Sequence, residues 1–150
     1  MGFHNCLEKK KFRNVRHQLM MGILVSSAWI TERMRSLLLA EDITLQQYNI
    51  LSILHESEKP LSIAQIREAM VDKMSDASRI VDRLVAKSMV DKCVCPLDKR
   101  LVDISISEEG DRLFCRINQR LAQLDEICCQ LTTEEVQTLI ALLDKMRCID

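Results

Sequence analysis

Three boxes of the form Ser/Thr-x-x-Gln/Glu punctuate the sequence: Thr44 with Gln47, Ser62 with Gln65, and Thr132 with Glu135. In such a box the hydroxyl accepts from the third backbone N–H of a helix, and the Gln or Glu side chain returns to the cap. The chain is therefore parsed by helix starts near positions 44, 62 and 132. Ser75 and Ser107 stand as further N-caps. With 3 Gly and 2 Pro in 150 residues, little turn-making material exists for an all-β architecture or a glycine loop around phosphate.

Apolar spacing fills the segments between these starts. Phe12, Val15, Leu19, Ile23, Ser26, Ile30, Met34 and Leu37 recur at helical intervals and predict one long helix over 12–39. A second helix carries Tyr48, Leu51 and Leu54 and stops at SEKP, residues 57–60. A short helix follows from Ser62 to about Met70, and another from Ser75 turns Ile80, Val81, Leu84 and Val85 inward. After Ser88 the period changes. Met89 to Cys95 favours strand, Leu101 to Ile106 alternates, and PLDKR at 96–100 makes a charged hairpin tip between them. Ser107 then opens a helix over 107–130, and Thr132 one over 132–148.

The length suits one domain, 1–150, with its own core. Aromatic residues are only 3% of it, so Leu, Ile, Val and Met must fill that core, which favours helix. Net charge is −1, unevenly spread: residues 1–61 and 62–100 each carry eight Lys/Arg against six Asp/Glu, and residues 101–150 five against ten. Any basic surface belongs to the first two thirds. The basic stretch Lys9 to Arg16 before LMMGILV imitates a secretory leader, yet that apolar run continues as one face of the long helix. It is too short to span a bilayer, and MGFHNC lacks the Ser or Thr of a myristoylation signal, so a cytoplasmic location is expected.

Seven cysteines are present with no C-x-x-C pair, and neither His4, His17 nor His55 stands at ligand spacing from any of them. No metal or other cofactor is expected, and the thiols are read as small hydrophobes in a reducing compartment, with a thiol-based redox sensor as the alternative. No nucleophile–base pair, paired carboxylates or phosphate loop marks an enzyme. Helix, turn, helix, strand, basic tip and strand, in that order, describe a winged helix-turn-helix, in which Lys99 and Arg100 would touch nucleic acid beside the recognition helix. A protein–protein module of the same fold is the rival from another class.

Two blocks carry a resemblance to a known family. SRIVDRLVAKSMV, 78–90, resembles the recognition helix and the start of the wing in the MarR family of bacterial transcription regulators, and DKRLVDISISEEG, 98–110, resembles its wing signature. The resemblance implies a mainly α fold with a small β-hairpin wing. Residues 44–106 would form the winged helix-turn-helix, and 12–40 with 107–148 would supply long N- and C-terminal dimerisation helices. It implies a homodimer on double-stranded DNA with a pseudo-palindromic operator, as a repressor or less often an activator.

Carried over by position, Ser75, Asp76, Ala77, Ser78 and Arg79 would enter the major groove, Asp98 would hold the wing and Arg100 would enter the minor groove. Ser62, Gln65, Arg83 and Lys99 complete the expected DNA contacts, and Asp82 is expected in a structural ion pair. Met20, Met21, Trp29 and Tyr48 would either line a pocket for a small aromatic or phenolic effector or belong to the core. Ser88 stands where the family usually has Gly, so a different helix ending is expected there. Met20 replaces the cysteine of the family's peroxide-sensing branch, which argues against that mechanism. Lys9, Lys10 and Lys11 are expected to be a solvated terminus.

Overall fold

The computed structural model describes residues 11–94 and 102–147. Helix α1, Val15–Leu39, is followed by α2, Leu45–Glu56, a two-residue strand β1, Leu61–Ser62, and α3, Ile63–Ala69. Next come α4, Ala77–Ala86, and strands β2, Val90–Val94, and β3, Val102–Ile106. Helix α5, Glu108–Leu121, a 3-10 helix, Ala122–Cys128, and α6, Thr133–Arg147, complete the order. Among the described residues no helix is long and apolar enough to cross a membrane.

All three capping boxes form. Gln47 N–H donates to Thr44 Oγ1 at 3.2 Å and Thr44 N–H to Gln47 Oε1 at 2.9 Å. Ser62 with Gln65, and Thr132 with Glu135, repeat the reciprocal pair. Ser107 caps α5, accepting from Gly110 N–H at 3.0 Å.

Two helix starts differ from the expected ones. Helix α1 begins after Asn14, not at Phe12, because the extended Asn14 accepts from His17 N–H at 2.9 Å. Helix α4 is capped by Asp76 and not Ser75: Asp76 Oδ1 accepts from Arg79 N–H at 3.1 Å, while the Ser75 hydroxyl donates to Asp72 at 2.7 Å and belongs to the turn before.

Two endings differ as well. The helix expected over 107–130 is α-helical only to Leu121 and then tightens into the 3-10 segment, in which no residue is buried. Without core packing, nothing enforces the wider α geometry there. Ser88, expected to end α4 in another way, instead adopts the left-handed conformation itself, with φ 58°. Ser88 N–H reaches Val85 O at 2.9 Å and Met89 N–H reaches Leu84 O at 2.9 Å, the paired bonds of a Schellman ending.

The sheet has three antiparallel strands in the order β1-β3-β2. Val90 pairs with Ile106 and Lys92 with Ile104 in the hairpin, and Leu61 pairs with Ile104 across the other edge. Strand β1 was not legible in the sequence, since two residues after a proline carry no alternation.

One core joins Leu38 of α1, Ile50, Leu51 and Leu54 of α2, Ile66, Val81 and Leu84 of the next two helices, Ile104 of β3, and Leu113, Phe114 and Ile117 of α5. Helix α6 contributes no buried residue, and α1 only Gly22 and Leu38. The apolar stripe of α1 is real but faces elsewhere: Val15, Leu19, Ile23 and Ile30 line a cavity of about 660 Å³ with Leu139 and Leu143 of α6.

Candidate nucleic-acid interface

Helix α4 is strongly two-faced. Ala77, Val81 and Leu84 are buried, while Ser78, Arg79, Asp82 and Arg83 are exposed. Ala77, expected among the DNA contacts, is 3% exposed and belongs to the core, so its side chain has no outward reach. Arg79 and Arg83 are one turn apart and share a face.

The turn ahead of α4 is rigidly tied. Asp72 accepts from Met74 N–H at 3.1 Å and from the Ser75 hydroxyl, and Val71 N–H donates to Asn49 Oδ1 of α2 at 3.1 Å. Ser75, Asp76, Arg79 and Arg83 line one groove of about 250 Å³ with Thr44, Gln46 and Gln47 from the start of α2. Exposed Gln46 was missed in the sequence, where the Thr44–Gln47 box accounted for that turn by capping alone. Ser62 and Gln65 are occupied in each other's capping box at the start of α3, outside this groove. Arg67 and Lys73 line a separate hollow with Glu68 and Ala64.

Asp82 has the structural role expected of it. Its carboxylate takes the Lys92 ammonium of β2, so the outer face of α4 is anchored to the first wing strand. Asp98, Lys99 and Arg100, like Lys9 and Lys10, lie outside the described residues; exposed Lys11 is the first described one.

The four candidate effector residues are not assembled into one site. Met20 is 58% exposed and Trp29 43%, so neither is core, and Trp29 carries the Arg33 guanidinium 3.8 Å over its ring. Met21 is partly buried on the same helix. Tyr48 lies on α2, stacked on Phe114 at 5.6 Å with its hydroxyl donating to Asn118 at 3.4 Å. Burial, then the Glu56 charge, raises its phenol above the ordinary value. None of the four lines the large cavity between α1 and α6.

The thiols also depart from expectation. Cys93, Cys115, Cys128 and Cys129 are all exposed and free, so they do not serve as core hydrophobes. Cys6, Cys95 and Cys148 lie outside the described residues.

A sequence model of the MarR family matches residues 41–101. The transcriptional repressor IacR of Pseudomonas putida is 29% identical over 115 residues, 76% of this chain and 68% of that protein. The multiple antibiotic resistance protein MarR of Salmonella typhimurium is 27% identical over 107 residues, 70% of this chain and 74% of that one. In fold, the chain is similar to a cysteine-to-serine mutant of E. coli MarR complexed with operator DNA. The TM-score is 0.79 at 24% identity, over 92% of this chain and 99% of that one.

Proposed function

The chain belongs to the MarR family, and from that premise we propose that it is a homodimeric, sequence-specific regulator of transcription that binds double-stranded DNA. It acts as a repressor released by a small-molecule effector, in the cytoplasm and without enzymatic activity. Residues 44–106 form the DNA-binding unit, and 12–40 with 107–148 supply the dimerisation helices.

The observation that carries this reading is the division of α4. Its inner face is sealed into the core while Ser78, Arg79 and Arg83 stand free on the outer one. A helix held this way presents its N-terminal residues to a major groove. Arg79 and Arg83 offer planar forks suited to guanine O6 and N7, and Asp76, although engaged in capping, keeps a second oxygen for a cytosine amine. In sequence, Lys99 and Arg100 fall in the connection between β2 and β3. The MarR structure in complex with operator DNA supports the placement by likeness of fold.

The test is selection of bound duplexes from random DNA, followed by titration at several salt concentrations. A pseudo-palindromic consensus with affinity falling steeply with salt is expected. Absence of any enriched duplex, or salt-independent binding, would favour the protein–protein module instead.

A further inference from the structure

Away from the groove, the end of α2 meets the first turn of α5. His55 Nδ1 lies 2.6 Å from Asp111 Oδ1. Asp111 and Cys115 are four residues apart on α5 and share a face, the spacing by which one helix can offer two ligands to one ion. An imidazole nitrogen of His55, a carboxylate oxygen of Asp111 and Cys115 Sγ all lie within 4.8 Å of one another. The sequence hid this cluster, because 56 positions separate His55 from Asp111 and only the packing of α2 on α5 joins them.

The surroundings favour a held geometry with an open front. The His55 ring rests on Phe114 with centroids 4.4 Å apart, and Phe114 is itself 5% exposed, so the imidazole has an apolar wall behind it. The His55 and Asp111 side chains keep 37% and 46% exposure, which leaves a path from solvent. Both ligand-bearing helices are core elements, so neither backbone needs to rearrange.

We propose that His55, Asp111 and Cys115 form a binding site for a divalent transition-metal ion of the Zn²⁺ class. The donor set decides the class: a thiolate with an imidazole is too soft for Mg²⁺ or Ca²⁺, and one carboxylate is too few. Tetrahedral Zn²⁺ takes N, O and S ligands at about 2.0–2.3 Å, which sets donors on the order of 3.5 Å apart. The three donors already lie within 4.8 Å of one another on side chains free to turn about their Cα–Cβ bonds. The fourth position is left to water or an external ligand. A bound ion would clip α2 of the winged unit to α5.

The experiment uses the reduced full-length protein, freed of metal, with Co²⁺ as the probe. Wild type is expected to take one equivalent per chain and to develop thiolate-to-cobalt charge-transfer absorption with tetrahedral ligand-field bands. Cys115→Ser should lose the charge-transfer band, and His55→Gln and Asp111→Asn should weaken apparent affinity by about tenfold or more. Zn²⁺ should displace the cobalt, and circular dichroism should show each variant folded. A protein with Cys128→Ser and Cys129→Ser should behave as wild type. No thiolate band in wild type, a band unchanged in Cys115→Ser and His55→Gln, or a band lost on removing Cys128 and Cys129 would each overturn the proposal. His55 and Asp111 would then be an ordinary hydrogen-bonded pair.

Discussion

Gly110, in the first turn of α5, lies against the backbone of Met89, the residue that leaves α4. A Cβ on Gly110 would collide with the Met89 carbonyl oxygen, with the carbonyl carbon at 2.9 Å and Ile106 Cγ1 at 3.1 Å. The same Met89 oxygen accepts Ser107 N–H at 3.1 Å. The Ser107 hydroxyl donates to Ser88 O at 2.7 Å while accepting Gly110 N–H. The run Ser107-Glu-Glu-Gly110 therefore does more than cap a helix. It seats α5 directly on the end of α4, so the outward face of α4 is oriented by the helices that follow it.

Replacing Gly110 with Ala must displace backbone, which yields far less readily than a side-chain tip. Overpacking of this kind costs typically about 1–3 kcal/mol. Gly110→Ala is expected to lose about 2 kcal/mol of unfolding free energy in urea, whereas Ala at exposed Glu109 should stay within about 0.5 kcal/mol of wild type. An unchanged midpoint for Gly110→Ala would show that the close approach does not exist in solution.

Ser88 supplies the opposite case. A left-handed conformation costs a residue with a Cβ about 1–2 kcal/mol, part of which glycine returns as unfolded-state entropy. Ser88→Gly should stabilise the protein by up to about 1 kcal/mol, and Ser88→Val should destabilise it by more than that. Equal melting temperatures for the two variants would sink this account.

These two positions also mark how far the sequence could be followed. Caps such as Thr44, Ser62 and Ser107 were legible because a cap bonds within four residues, and the VDISIS alternation was legible because its period is local. The left-handed state of Ser88 was not, since the residue type argues against it and the Met89–Leu84 bond enforces it. Ala77 looked like part of a contact set until packing turned it inward. Neither the cavity shared by α1 and α6 nor the meeting of His55 with Cys115 leaves any local trace, because both depend on how distant helices are placed.

Glu41 ties the end of α1 to α5. Arg116 reaches Glu41 Oε2 through Nη2 at 3.1 Å and Nε at 3.3 Å, and Arg120 Nη1 reaches Oε1 at 3.0 Å. The Arg116 hydrogen bond above all, with the charges of both arginines, holds the carboxyl below its ordinary value against an opposing effect of burial. A depressed folded value means the clamp contributes fully above the unfolded pKa, about 4.3, and is lost as pH falls through the lower folded one. Wild type should therefore shed more stability than Glu41→Gln as pH falls from about 5 to 3, with the two converging at still lower pH. Melting curves that run parallel across that range would remove Glu41 from the acid response.

The uncovered apolar surface predicts the assembly state. Leu19 and Leu24 on α1 and Leu139, Ile140 and Leu142 on α6 are 48–59% exposed, beside the cavity between these helices. Interfaces of obligate dimers are apolar in this way. Sedimentation at micromolar concentration should give a two-chain mass, and Leu139→Glu should weaken association by about tenfold or more, since a buried unpaired carboxylate is costly. A monomeric wild type under those conditions would refute the assignment of α1 and α6 to dimerisation.

Arg79 and Arg100 should both matter to DNA binding, in distinguishable ways. Arg79 is exposed on α4 with its backbone N–H held by Asp76, so its side chain leaves the helix from a fixed origin. A bidentate pair with guanine discriminates by about 1–3 kcal/mol, so Arg79→Ala should relax preference at one base pair of each half-site and leave the others unchanged. Arg100, in the connection between β2 and β3, would meet the minor groove, where width and negative potential matter more than base identity. Arg100→Ala should weaken binding to all operators alike and reduce the salt slope by about one unit per subunit. Asp98→Ala should share part of the affinity loss while keeping the slope, because it removes no positive charge. Titration of the three variants against consensus and single-mismatch duplexes at several salt concentrations separates these outcomes. If Arg100→Ala retains wild-type affinity and slope, Arg100 is ordinary solvated charge and the wing makes no contact through it.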